Sequence, residues 1–180
     1  MAKDLKDMTL EELWELFPIV LTPHNPHWAA WAEEEMTTLS AILSDFDIRI
    51  SHIGSTAIPC IMAKPTVDIL VEIPVETDKD NIRTIMESAG YICMSVSDER
   101  MSFNKGYTPE GYAERVFHIH FHPTGDNDEI YFRDYLNAHP DIAKAYERLK
   151  LSLLPKFKHN RDAYTKAKTD FVSKISAMAK

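Results

Sequence analysis

The sequence predicts an α+β domain, with one central sheet of about five strands and helices at both ends of the chain. Three observations predict it. Segments rich in β-branched residues, with alternating polarity, cluster between residues 47 and 122. Helical periodicity is confined to residues 9–44 and 128–178. No internal repeat and no linker-like stretch interrupts the 180 residues, so a single domain is expected over 1–180.

The elements follow in order. Thr9-Leu10-Glu11-Glu12 is a capping box, with Thr9 as N-cap and Glu12 reaching back. Leu10, Trp14 and Phe17 then fall at helical spacing, and Pro18 ends that short helix. Ile19 to Leu21 reads as a brief apolar strand. Asn25-Pro26 opens a longer helix, with Pro26 at its first position, where a missing N–H costs nothing. Trp28, Trp31, Met36, Leu39, Ile42 and Leu43 give that helix its apolar face, and Glu33-Glu34-Glu35 reads as its solvated face. Asp47 to Ile53 is the first sheet strand, and Gly54 to Pro65 must turn. Thr66 to Ile73 is the second strand, apolar at 67, 69, 71 and 73, with Asp68 and Glu72 on the other side. Asp80 to Ser88 is helical and stops at Gly90. Tyr91 to Val96 and Met101 to Lys105 read as strands around a charged turn, and Arg115 to His122 alternates strictly as the fifth. Helices are expected over Asp128 to Ala138, from Pro140 to about Leu153, and over Asp162 to Met178.

Composition narrows the function classes. Lys and Arg total 20 against 28 Asp and Glu, a net charge of −8. That excludes non-specific grip on duplex nucleic acid, which needs basic surface. An anionic ligand must therefore meet a local basic pocket. Three Trp, seven Tyr and eight Phe exclude disorder. The two cysteines, Cys60 and Cys93, are too few for a disulfide framework. No apolar run follows the first residues and none is long enough to span a membrane, so a cytoplasmic protein with no membrane partner is expected.

Two patterns could carry chemistry. The first is His52-Ile53-Gly54-Ser55, followed after twelve residues by Asp68-Ile69-Leu70-Val71-Glu72. A Gly-Ser turn after a strand lets backbone N–H groups approach a phosphate, and the Ser55 hydroxyl adds a donor. Carboxylates on the adjacent strand suit Mg²⁺, a hard cation that bridges to substrate phosphates. The plainer reading is an ordinary turn and a half-exposed strand. The second pattern is Phe117-His118-Ile119-His120-Phe121-His122. Phe117, Ile119 and Phe121 face the core, so the histidines share the other face with Glu114 and Val116. Imidazoles so placed bind a transition metal, bind phosphate or transfer protons. Side chains two apart lie roughly 6.5–7 Å from one another, so two can share a metal only with some bending. The plainer reading is a hydrated polar sheet face. Lys64, Lys105, Arg133, Lys166 and Lys168 are further cations that could meet phosphate, each also read as a solvated surface group.

Several runs together resemble the GrpB family: Val20 to Trp28, His52 to Pro59, Ala63-Lys64-Pro65, Val67-Asp68-Ile69, His118-Ile119-His120, Phe132 to Leu136 and Tyr164 to Phe171. The resemblance covers residues 18 to 175. It implies a nucleotidyltransferase-like mixed sheet, similar to the DNA polymerase beta-like nucleotidyltransferase superfamily; some members of the family are fused to dephospho-coenzyme A kinase. That superfamily normally places a second carboxylate two residues after the first, where this chain has Leu70, and the Pro-Gly turn of many relatives is Pro59-Cys60 here. The next carboxylate is Glu72.

The resemblance and the residues give one expected site and three expected functions. Gly54, Ser55 and Lys64 would hold the phosphate of a nucleotide or phosphorylated small molecule. Asp68, Glu72 and His120 would hold a divalent metal, either Mg²⁺ or a transition ion such as Zn²⁺. Asp68, His118 and His120 would be catalytic, with His118 or His120 as base or third metal ligand. These residues should surround one pocket. The functions in view are metal-dependent nucleotidyl transfer, non-catalytic binding of a phosphate ligand, and hydrolysis by a transition metal on the His118/His120/Asp68 face.

Overall fold

The computed structural model describes residues 2–180. Five strands form one mixed sheet: β1 (Arg49–Ile53), β2 (Val67–Ile73), β3 (Ile92–Val96), β4 (Met101–Thr108) and β5 (Gly111–Pro123). Their spatial order is β1-β2-β5-β4-β3. Only β2 and β5 pair in parallel; the other neighbours are antiparallel. The helices are α1 (Leu10–Leu16), α2 (His27–Ile42), α3 (Lys79–Ser88), α4 (Asp128–Ala138), α5 (Pro140–Phe157) and α6 (Arg161–Ala179). No helix among the described residues is long and apolar enough to cross a membrane.

Alternation along β2 and β5 sorts the two faces of the sheet. Val67, Ile69, Val71, Phe117, Ile119 and Phe121 point to one face, where Trp28, Ala32 and Leu39 of α2 and Ile82 and Met86 of α3 close the main core. Each large side chain buried there contributes on the order of 1.5–3 kcal/mol. The opposite face carries Asp68, His118 and His120. It is roofed by α4, α5 and α6, which share a second cluster of Phe132, Leu136, Ala143, Tyr146 and Ile175 with Ile58 and Ile61.

The capping box on α1 forms: Glu12 N–H donates to Thr9 Oγ1 at 3.1 Å, and Thr9 N–H donates to Glu12 Oε2 at 2.7 Å. The Asn25 side chain accepts from His27 N–H at 2.8 Å, so the α2 start lies within one residue of the Asn25-Pro26 boundary.

Four expectations change. Ile19 to Leu21 is not a strand: the segment makes a single antiparallel bridge, Thr22 to Ala63, and Ile19 packs with Leu153 and Tyr164 instead. Glu35 is not on a solvated face. It is buried, accepts from the Tyr91 hydroxyl, and takes Lys105 Nζ at 3.1 Å on both oxygens. α5 runs to Phe157, past Pro155, because a proline in the last turn forfeits only one ladder bond. β5 begins at Gly111 and forms a hairpin with a lengthened β4, in which Thr108 Oγ1 donates to the Gly111 carbonyl at 2.8 Å.

That hairpin contains a bulge between Lys105 and Tyr107. Gly106 sits in it at φ +95°, with the Arg115 backbone packed where a Cβ would lie. Across it the register moves by three, from Lys105 opposite Phe117 to Tyr107 opposite Tyr112, and an odd shift flips the side-chain parity. Asn104 and Tyr107 both end on the face of His118, whereas simple alternation would send Tyr107 to the α2 side.

Candidate functional site

Parallel pairing of β2 with β5 places Asp68 opposite His118 and Leu70 opposite His120. The Asp68 carboxylate reaches both histidines: Oδ1 lies 3.1 Å from His120 Nε2 and 3.5 Å from His118 Nδ1. The rings of His118 and His120 are 6.3 Å apart and nearly perpendicular, which turns one nitrogen of each toward the same carboxylate. The other nitrogen of His118, Nε2, lies 2.5 Å from the Tyr107 hydroxyl, brought there by the Gly106 bulge. Burial pushes the Asp68 carboxyl up, but hydrogen bonds with His118 and His120 outweigh it and hold the group well below the usual carboxylate range. Burial pushes His118 down, against the pull of Asp68.

Gly54 ends β1 at φ +77°. A Cβ there would meet Asp68 Oδ2 at 2.6 Å, so the glycine makes room for the carboxylate that the site is built around. Beyond it, Ser55 opens a short 3₁₀ turn (Ser55–Ala57) whose first residue faces α5 and α6.

Two cavities adjoin Asp68. The smaller, about 110 Å³, is lined by Gly54, Ser55, Lys64, Asp68, Lys150 and Lys168 together with Thr66, Tyr146 and Tyr164. Lys150 is buried; its Nζ donates to Ser55 Oγ at 3.0 Å and to the Met62 carbonyl at 2.6 Å. Burial, and then the neighbouring Lys64, push Lys150 down to about 7. Burial and the charges of Lys64 and Lys150 do the same to Lys168. Burial also lowers Lys64, with Asp68 pulling the other way. When protonated, the three lysines outnumber the one carboxylate they face. The Tyr164 hydroxyl in the same wall is buried with no hydrogen-bond partner, and such a group costs about 1–3 kcal/mol until something satisfies it. The second cavity, about 260 Å³, shares Gly54, Asp68 and Tyr146 with the first and adds His120, Phe132, Val172 and Ser176.

The structure thus gathers Gly54, Ser55, Lys64, Asp68, His118 and His120. Other sequence candidates lie elsewhere. Glu72 is buried and accepts from Gly125 N–H at 3.0 Å and Asn127 Nδ2 at 3.1 Å, so its carboxylate anchors the turn before α4. Among the described residues it is Asp68, His118 and His120 whose ligand atoms converge, all within 4.8 Å of one another. His122 is buried against the Asp126 carbonyl at 2.9 Å. Lys105 pairs with Glu35, Arg133 donates to the His52 carbonyl at 2.9 Å, and Lys166 is exposed. Lys150, Tyr107 and Tyr164 join the site without having been singled out for it. Lys150 left a trace in the sequence, being a lysine on the apolar face of α5 between Tyr146 and Leu153. Gly106, inside a strand, was the trace of the bulge that places Tyr107.

A two-Mg²⁺ arrangement needs at least two convergent carboxylates. Leu70, fully buried, stands at the second place and Glu72 is committed to Gly125 and Asn127, so the residues present do not fit that pair. Two imidazoles and one carboxylate fit a single ion of the transition series better.

The sequence profile described as GrpB protein matches residues 18–178. The UPF0157 protein PA4798 of Pseudomonas aeruginosa is 34% identical over 164 residues, covering 89% of this chain and 67% of its own. The chain spans about half the length of another relative, the UPF0157 protein YqkA of Bacillus subtilis. The crystal structure of conserved protein GrpB from Enterococcus faecalis superposes with a TM-score of 0.74 at 29% identity, over 89% of this chain and 96% of that one. Cid1 in complex with the UTP analogue UMPNPP superposes with a TM-score of 0.53 at 12% identity, over 82% of this chain and 48% of that one. The latter likeness is one of fold: the sheet and its roof are nucleotidyltransferase-like.

Proposed function

The chain belongs to the GrpB family, and from that premise we propose that it binds a nucleotide or other phosphorylated small molecule between the sheet and its C-terminal helices. One observation carries the reading. Lys64, Lys150, Lys168, Ser55 and the unpartnered Tyr164 hydroxyl line a small cavity whose only carboxylate is Asp68. A phosphate offers several acceptor oxygens and negative charge, which satisfies the lysines and the orphan hydroxyl together. The adjoining cavity, about 260 Å³ with Phe132, Tyr146 and Val172 on one part of its wall and Asp128 and Glu129 on another, would take a small remainder of the molecule. His120, partly exposed and held by Asp68, is positioned to exchange a proton with a ligand there.

Binding without nucleotidyl transfer is the second reading, favoured by Leu70 at the place of the second carboxylate. Calorimetric titration with ATP, UTP and pyrophosphate, in chelator, tests the primary reading. Saturable binding is expected, weakened on the order of 10–100-fold in Lys150→Met, because a charge-assisted hydrogen bond contributes about 1.5–3 kcal/mol. No saturable heat with any of the three, or equal affinity in Lys150→Met, overturns it. Release of pyrophosphate from a nucleoside triphosphate then separates transfer from binding.

A further inference from the structure

We infer that Asp68, His118 and His120 form a site for one transition-metal ion, with Tyr107 fixing the tautomer of His118. The geometry points to it independently of the anion cavity. In a tetrahedral zinc site with bonds of about 2.0–2.1 Å, neighbouring ligand atoms stand about 3.3 Å apart. The two contacts of Asp68 Oδ1, 3.1 Å to His120 and 3.5 Å to His118, straddle that edge length. The near-perpendicular rings remove the objection that histidines two apart on a strand cannot share an ion, because each turns a different nitrogen, Nε2 of His120 and Nδ1 of His118, to the carboxylate.

The surroundings agree with a metal site. A ligating imidazole donates its other N–H to a fixed acceptor, which sets ring orientation and basicity. With an ion on Nδ1, His118 would donate its Nε2–H to Tyr107 Oη, 2.5 Å away, and the bulge at Gly106 lies where it brings that hydroxyl in. Gly54 leaves room for Asp68 Oδ2 on the opposite side. Three protein ligands leave a position for a molecule from the cavity bounded by Asp68 and His120. Imidazole nitrogens favour Zn²⁺, Co²⁺ or Ni²⁺, while Mg²⁺ prefers oxygen ligands and its own waters.

The test is calorimetric titration of the chelator-treated full chain with Zn²⁺, Co²⁺ and Mg²⁺ alone, with no phosphate present. One Zn²⁺ per chain is expected, bound on the order of 100-fold or more tightly than Mg²⁺, and Co²⁺ should give the visible absorption of a low-coordinate site. His120→Ala, at a partly exposed position that tolerates truncation, should abolish the tight site. Tyr107→Phe should weaken it about 10–100-fold, the usual cost of losing an orienting partner. Glu72→Gln, which retains both hydrogen bonds, should leave it unchanged. Absence of saturable Zn²⁺ binding, or binding undiminished in His120→Ala, overturns the inference. Thermal melts of each variant identify a misfolded one, and His120→Asn, of smaller volume change, then replaces it.

Discussion

Asp68 makes its shorter contact with the histidine it does not face in register. The strand pairing sets it opposite His118, yet His120 is closer, at 3.1 Å against 3.5 Å. Leu70 is the residue that does face His120. Leu70 has no polar group to offer, and His120 Nε2 meets the Asp68 carboxylate instead. Both histidines thereby meet one oxygen, Asp68 Oδ1.

Gly54→Val should damage both the fold and the site. Its φ of +77° is strained for any side chain, costing of the order of 1–3 kcal/mol, and its Cβ would collide with Asp68 Oδ2. The sequence suggested that a Cβ would block a phosphate; the structure places a carboxylate there first. Urea unfolding should show the loss, and calorimetry should show Zn²⁺ binding lost along with phosphate binding. Phosphate binding lost with metal binding intact would restore the sequence-based explanation.

Glu72→Ala should be destabilising without touching ligand affinity per folded molecule. It removes the acceptor of the Gly125 N–H and the Asn127 amide; Gly125 is exposed and Asn127 half-buried, so water recovers part of the loss and each bond is worth about 0.5–1.5 kcal/mol. Denaturant midpoints of Glu72→Ala and Glu72→Gln, compared with wild type, measure it; the Gln variant should lie much nearer to wild type.

Stability should fall on the acid side because of His52. Burial lowers its pKa from about 6.5 to about 4, so between those values the unfolded chain binds a proton that the folded one does not. Its contribution is complete above pH 6.5 and is lost as pH falls through 4, roughly 3 kcal/mol at most. His52→Gln retains a partner for Thr56, which hydrogen-bonds His52 Nε2 at 2.8 Å. Melting temperatures from pH 4 to 8 should therefore fall less steeply in this variant than in wild type.

Phosphate binding should weaken as pH rises past 7. Lys150 and Lys168 both titrate near 7 in the free protein, and an anion in their cavity stabilises the charged forms. At pH 8 binding must then draw protons from solution. Titration of pyrophosphate in two buffers of different ionisation enthalpy reads this once the ligand's own proton exchange, with a phosphate ionisation at about pH 6, is subtracted: proton uptake by the protein at pH 8 that vanishes at pH 6 is expected, and no protein uptake at either pH would refute it.

The fold was largely legible, because periodicity reports which side of an element is buried. Five strands, their order along the chain and the six helices follow from periods of 2 and 3.6, and so does the shared face of Asp68, His118 and His120. Boundaries moved where tertiary contacts intervened. Ile19 to Leu21 looks like a strand by composition but has no strand to pair with, and Glu35 looks solvated beside two exposed glutamates until Tyr91 and Lys105 reach it.

Local structure, and side-chain parity wherever a strand runs without a bulge, are thus written in the sequence, because both are governed by backbone geometry within a few residues. Packing of distant segments settles which polar groups meet. Lys150 donates to Ser55 across 95 residues of chain, Tyr107 reaches His118 because one glycine bulge reverses an alternation, and Glu72 is claimed by Gly125, 53 residues on. The first depends on how α5 closes over the sheet and the other two on how β2, β4 and β5 pair, and no pattern of neighbouring residues encodes a distance between segments that the chain brings together only by burying a common apolar surface.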